Sequence, residues 1–197
     1  MIDALPAFLV FAVSTLFTPG PNNIMLTASG ANFGFRRTIP HILGVDCGFA
    51  FMVFAVGMGL GAAFEAADTL QQVMRWIGAA FLIYLGLRIA TAGRSETGAA
   101  RGRPFRFYEA AAFQWVNPKA WAMAVGAYAT FAPPDASPLT AAATFAAIFW
   151  LIGLTSSGAW AAFGVGIGRL LDTNLKLRVF NVALGALTIA SVGLLFL

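Results

Sequence analysis

The chain has 197 residues, 59% of them hydrophobic and only 10% charged, with a mean hydropathy of +0.80. Soluble chains are roughly a quarter charged, and one this short has too little interior to hide so much apolar surface, so an ordinary soluble domain is excluded and lipid is the fitting solvent. The net charge of +4 reads as membrane orientation and not as nucleic-acid binding.

Six apolar segments follow one another, each of a length suited to crossing a bilayer. The first, Ala4–Ser29, carries no charge and lacks the positive flank and cleavage signal of a secretory leader, so it is read as a span. Thr18-Pro19-Gly20-Pro21-Asn22-Asn23 interrupts it. The second, His41–Ala63, contains Asp46, about 9 Å along a helix from Pro40. His41 itself is expected at the interface. Val73–Ile89 is the third, with Arg75 and Arg88 near its ends. The connection Gly93–Arg106 is small, polar and basic, and has the character of a linker. Phe107–Phe131, the fourth segment, is interrupted by Val116-Asn117-Pro118-Lys119, with Lys119 twelve residues from either end. The fifth, Leu139–Gly168, is uncharged, carries Thr155-Ser156-Ser157 and is long enough to tilt. Leu177–Leu197 closes the chain.

The charges choose an orientation. If six spans alternate, ten of the twelve basic residues fall on one side: Arg36, Arg37, Arg88, Arg94, Arg101, Arg103, Arg106, Arg169, Lys176 and Arg178. Asp3, Glu65, Asp68 and Asp135 fall on the other. Lys and Arg are retained on the cytoplasmic face, so both termini are expected outside.

The linker divides the chain into halves of three spans, an odd number, so homologous halves must lie oppositely in the membrane. The break at Pro19 matches the break at Pro118. Arg75-Trp76-Ile77-Gly78-Ala79, opening the third span, matches Arg178-Val179-Phe180-Asn181-Val182, opening the sixth. The expected fold is all-α and polytopic, six transmembrane helices arranged as two inverted three-helix repeats. It forms a single membrane domain over 1–197, with halves 1–92 and 107–197 joined by a cytoplasmic loop, 93–106. Chance likeness between apolar helices is the alternative.

A proline inside a helix removes an N–H and clashes with the carbonyl one turn earlier, and in lipid the freed carbonyls need partners. Gly20 is expected to supply φ values closed to other residues. Asn22, Asn23 and Asn117 add amide groups at a similar depth. Exposed N–H groups suit a carboxylate and exposed carbonyls suit an ammonium, so a zwitterion fits. The substrate is therefore expected at Pro19, Gly20, Pro21, Asn22, Asn23, Asn117, Pro118 and Lys119; the alternative is a pair of asparagine-capped kinks. Asp46 and Lys119 lie deep, where charges usually face the bundle interior. Asp46 is a proton-coupling candidate and Lys119 a carboxylate partner; alternatively the two form a buried structural pair. Thr155, Ser156 and Ser157 are candidates for lining the pathway, although hydroxyls also bond back to their own helix.

Cys47 and His41 are the lone cysteine and histidine, which leaves no thiolate cluster or multi-histidine site. No metal and no cofactor are expected. Gly30-x-x-x-Gly34, Gly57-x-x-x-Gly61 and Gly164-x-x-x-Gly168 allow close helix approach, within the chain or in a homo-oligomer. Trp115, Trp121, Trp150 and Trp160 are spread through spans four and five, where packing is the default role.

Several of these features together resemble the LysE/RhtB family of amino-acid exporters. They are Ser14–Asn23 with its Pro-Gly-Pro, Arg36-Arg37, Gly44-x-x-x-Gly48, the stretch from Trp76 through Gly78-Ala79-Ala80 to Tyr84-Leu85, and Asn117-Pro118-Lys119. The resemblance covers nearly the whole chain. It implies export of amino acids or similar small amphoteric metabolites across a bacterial inner membrane, by proton antiport with alternating access. The partners it implies are a small-molecule substrate, protons and the lipid bilayer. A passive channel or a structural membrane subunit is the alternative function. An intramembrane enzyme has too few acids, histidines and cysteines to draw on.

Overall fold

The computed structural model describes residues 5–94, 100–133 and 135–196. Asp3, Ala4, residues 95–99 of the predicted loop and Leu197 lie outside the described residues, as do the side chains of Glu65, Arg94 and Arg101.

Every predicted apolar segment is helical, and the two predicted breaks are breaks. The first segment is divided into α1 (Leu5–Phe17) and α2 (Pro21–Phe33). Proline sits at the first position of α2, where its missing N–H has no helical role. The second segment becomes α3 (Phe35–Ala55), then one wide π turn over Val56–Leu60, then α4 (Gly61–Glu65). Gly59 takes φ 111° within that turn, a value that L side chains disfavour. The third is α5 (Asp68–Ala90). A two-residue antiparallel ladder pairs Gly93 with Arg101 and Arg94 with Ala100 (β1 and β2). The fourth segment is divided into α6 (Phe107–Phe113), a 3₁₀ turn over Gln114–Val116, and α7 (Pro118–Phe131). The fifth and sixth are α8 (Pro138–Leu170) and α9 (Asn174–Ala190), the latter ending in a 3₁₀ turn.

Helices start earlier than the apolar stretches because polar first turns were not counted as span. α3 begins at Phe35 and not at His41, α5 at Asp68 and not at Val73. Among the described residues, four helical stretches are long and apolar enough to cross a membrane: Phe35–Phe64, Asp68–Ala90, Pro138–Leu170 and Asn174–Gly193. The first and fourth segments fall short of that length as single helices because each is cut in two.

α8, 33 residues long, is the element around which α1, α2 and α3 gather. Its approach to α2 is close enough to need missing side chains. A Cβ at Gly164 would press on the Thr27 carbonyl, one at Gly168 on the Ala31 carbonyl, and one at Gly30 on the Ala161 carbonyl. The Gly164-x-x-x-Gly168 stripe is therefore occupied inside the chain. α5 pairs with α9 in the same way, Gly86 against Gly185.

An aromatic cluster fills the space between α1, α3, α7 and α8. Phe8 stacks on Phe145 with centroids 4.2 Å apart and meets Phe149 edge-on at 5.2 Å, while Phe149 meets Phe49 at 5.2 Å. Tyr128 stacks on Phe145 and donates its hydroxyl to the Val53 carbonyl at 3.0 Å, just before the π turn. Outward faces are apolar too: Trp76, Leu87, Leu151 and Val179 are exposed, as lipid contact requires.

Candidate functional site

The two breaks meet. Lys119, in the first turn of α7, reaches across and donates from Nζ to the Thr18 carbonyl at 2.6 Å. Its chain crosses Gly20, where an added Cβ would lie 2.8 Å from Lys119 Cδ. Gly20 itself has φ −169° and ψ 178°, extended backbone open to any residue. The expectation of special dihedral freedom is thus corrected: Gly20 is needed for the room that Lys119 occupies.

The carbonyls set free by the first break are satisfied by side chains, as a low-dielectric setting demands. Asn23 Nδ2 donates to Leu16 O at 3.0 Å and to Thr18 O at 2.8 Å. Ser156 Oγ, on α8, donates to Leu16 O at 2.8 Å. At the second break Asn117 caps α7, its side-chain oxygen accepting the Lys119 backbone N–H at 3.2 Å. Asn22 pairs with Gln114 through both amide groups, at 2.8 and 3.2 Å, and Gln114 also donates to the Ala110 carbonyl.

Asp46, on α3, faces the same space. Ser157 Oγ donates to Asp46 Oδ1 at 2.9 Å, and Oδ2 is buried with no protein partner. Gly153 makes room for it, since a Cβ there would sit 2.8 Å from Oδ1. Among the described residues no ion pair joins Asp46 to Lys119, so the alternative of a buried salt bridge between them does not hold. Both side chains line one cavity with Asn22, Asn23, Gln114, Ser156 and Ser157. Its free volume of about 40 Å³ holds water and not an amino acid. On the far side of the breaks, Pro19, Pro21, Pro118 and Lys119 border a second, mostly apolar space of about 560 Å³ with Trp160, Phe163 and Leu187.

Of the residues expected at the site, Gly20, Asn22, Asn23, Asn117, Lys119, Asp46, Ser156 and Ser157 converge on the small cavity. The three prolines line the apolar side instead. Thr155 is exposed and bonds back to Leu151 O at 3.2 Å, so it is not part of the cavity. His41, expected at an interface, is instead fully buried in the protein, with Nδ1 3.0 Å from Ser29 Oγ. Gln114 was missed. Its signal is a second amide in the fourth apolar segment, three residues before Asn117.

The family model for LysE type translocators matches residues 13–197. The cysteine/O-acetylserine efflux protein of Escherichia coli (strain K12) is 30% identical over 167 residues, 84% of this chain and 85% of the relative. The proteins of the same name from Shigella sonnei (strain Ss046) and Shigella flexneri match to the same extent. No solved structure matches the chain. The chain belongs to the LysE type translocators, multi-pass membrane transporters and not enzymes.

Proposed function

We propose that the chain exports small amino acids or related amphoteric metabolites from the bacterial cytoplasm, by proton antiport with alternating access. The observation that carries this reading is the meeting of the two breaks, where a lysine ammonium rests on a freed carbonyl. A zwitterion can exchange both partners at once: its ammonium takes the place of Lys119 Nζ on Thr18 O, and its carboxylate takes the released Lys119. First-turn N–H groups of α2, which have no intrahelical acceptor, add to the carboxylate's partners. Asp46, whose Oδ2 faces no protein partner, is the group we assign to the proton, as intramembrane acids commonly are. Ser157 holds its other oxygen in place.

In this reading the halves 1–92 and 107–197 form inverted repeats, six spans in the inner membrane, with the loop 93–106 in the cytoplasm and both termini outside. Each half contributes one broken helix to the cavity, the pattern of transporters that rock one repeat against the other around a midplane site. The small free volume fits an occluded arrangement that must open to load. Cysteine and O-acetylserine, named for the relatives, are the first substrates to try.

Inside-out vesicles carrying an imposed pH gradient should accumulate cysteine or another amino acid of a broad panel, and collapse of the gradient should abolish accumulation. Asn117→Ala and Lys119→Ala should remove that uptake while leaving folded protein in the membrane. No uptake of any amino acid by folded wild-type protein would end the export reading, and normal transport by both variants would end the assignment of the site.

A further inference from the structure

A separate cavity of about 240 Å³ lies between the last turns of α2 and α5 and the segment entering α6, at the basic end of the molecule. We infer that it is a loading site that binds the carboxylate of a free amino acid on the Arg88 guanidinium; the inference rests on the export reading above. The Arg88, Arg103, Ser29 and Asn32 side chains line it. Arg103 is already committed, holding both oxygens of Glu109 at 2.6 Å. Arg88 is not. It makes one long contact, 3.3 Å from Nη2 to the Arg103 carbonyl, and otherwise rests between the Phe105 ring at 4.7 Å and the Tyr84 ring at 5.8 Å. A ring contact uses none of a guanidinium's five N–H donors, whose planar fork matches a carboxylate. Two guanidiniums thus line the cavity, and Glu109, the carboxylate near both, lies outside its wall with each oxygen bonded to Arg103, which leaves the pair with one positive charge in excess.

The remaining wall supplies what the other end of a zwitterion needs. The last turn of α5 borders the cavity at Ile89 and Thr91, and the terminal carbonyls of a helix carry the negative end of its dipole. The Ser29 hydroxyl, held by His41, and the Asn32 amide, paired with Asn181 at 2.8 Å, are polar groups fixed at the cavity wall. The space is several times larger than the polar cavity that Lys119 shares with Asp46, and it has the volume for a small amino acid. Asn32 is also ten residues from Asn22 along α2, about 15 Å. The two sites are thus distinct but share one helix.

The same fork would hold the phosphate of an anionic lipid headgroup, and the test separates the sources. Full-length protein in phosphatidylcholine nanodiscs is titrated calorimetrically with L-cysteine and with its methyl ester, which lacks the carboxylate. Cysteine should bind, the ester should bind at least about tenfold more weakly, and Arg88→Gln should cost cysteine about tenfold or more while leaving the ester unchanged. Arg88→Lys, which keeps the charge and loses the fork, should bind cysteine more weakly than wild type but more tightly than Arg88→Gln does. Gel filtration confirms that each variant is folded. In vesicles Arg88→Gln should raise the KM for uptake with little change in maximal rate. Cysteine binding that ignores Arg88→Gln overturns the proposal, as does an absence of binding to wild type, or Arg88-dependent binding of phosphatidylglycerol alone. Arg88-dependent binding without any proton-driven uptake would keep this site and remove the export reading, whereas uptake with a KM untouched by Arg88→Gln would do the reverse.

Discussion

Lys119 and Asn23 meet at one oxygen, the Thr18 carbonyl, and that shared acceptor explains why the polar residues of the breaks come as a set. A proline break leaves carbonyls that lipid cannot satisfy, so each must find a donor from elsewhere in the fold. The Asn22–Gln114 pair is the strongest link between the two breaks after Lys119. Asn22→Leu leaves the buried Gln114 Oε1 without its donor, and Gln114→Leu leaves the half-buried Asn22 amide without its partner, each at a cost of about 1–3 kcal/mol. The double substitution should cost less than the sum, with a coupling of about 0.5–1.5 kcal/mol in a double-mutant cycle read by denaturant unfolding in micelles. An additive result would mean that the pair does not form in the membrane. For Asp46 the expected outcome is a separation of activities: Asp46→Asn should lose proton-driven accumulation yet keep exchange of labelled for unlabelled substrate. Loss of both, in folded protein, would make Asp46 a substrate ligand and not a proton carrier. At this scale the sequence was legible where the chemistry is local. Prolines, asparagines and the deep charges announced themselves against an apolar background. Gln114 and the buried state of His41 did not, because their partners, Asn22 and Ser29, are set by the packing of helices and not by spacing along the chain.

Helices were the most readable level, since runs of apolar residues separated by polar turns leave little else for a chain in lipid. Their exact starts were not, because a cap such as Thr173 accepting the Lys176 N–H lies outside the apolar run. Packing partners were also hidden: small residues mark a close approach but not to what. The structure answers this for α8, whose Gly164 and Gly168 face backbone carbonyls of α2. Gly164→Leu should therefore force α2 and α8 apart and destabilise the fold by at least about 2 kcal/mol. Gly166→Leu on the same helix, where an added Cβ meets nothing within 4 Å, should be tolerated. Thermal unfolding of the two variants side by side checks this, and equal stability would show that the stripe is not a packing seam.

Across the whole molecule, the charge asymmetry read from the sequence makes a claim about topology that residue-level data cannot reach. With both termini outside, alkaline phosphatase fused after the last residue should be active, because the enzyme folds only beyond the cytoplasm, and the same fusion within 93–106 should be silent. The opposite pattern would invert the molecule and turn the proposed export into import. The proposed likeness between halves rests in the sequence on the two breaks and on the starts of the third and sixth spans alone, because apolar helices of lipid-facing composition carry too little information to align.

The stacked rings of Phe8, Phe145 and Phe149 bear on a different question, that of leakage. A protein that works against a proton gradient must not short-circuit it, and protons cross proteins along chains of hydrogen-bonding groups and water. Phenylalanine rings offer no such groups, and these pack on one another between Phe49, beside the polar cavity, and the place where Phe8 meets Phe131. In the proposed antiporter the cluster would serve as electrical insulation as well as packing, keeping the membrane charged in the intervals when no solute is crossing.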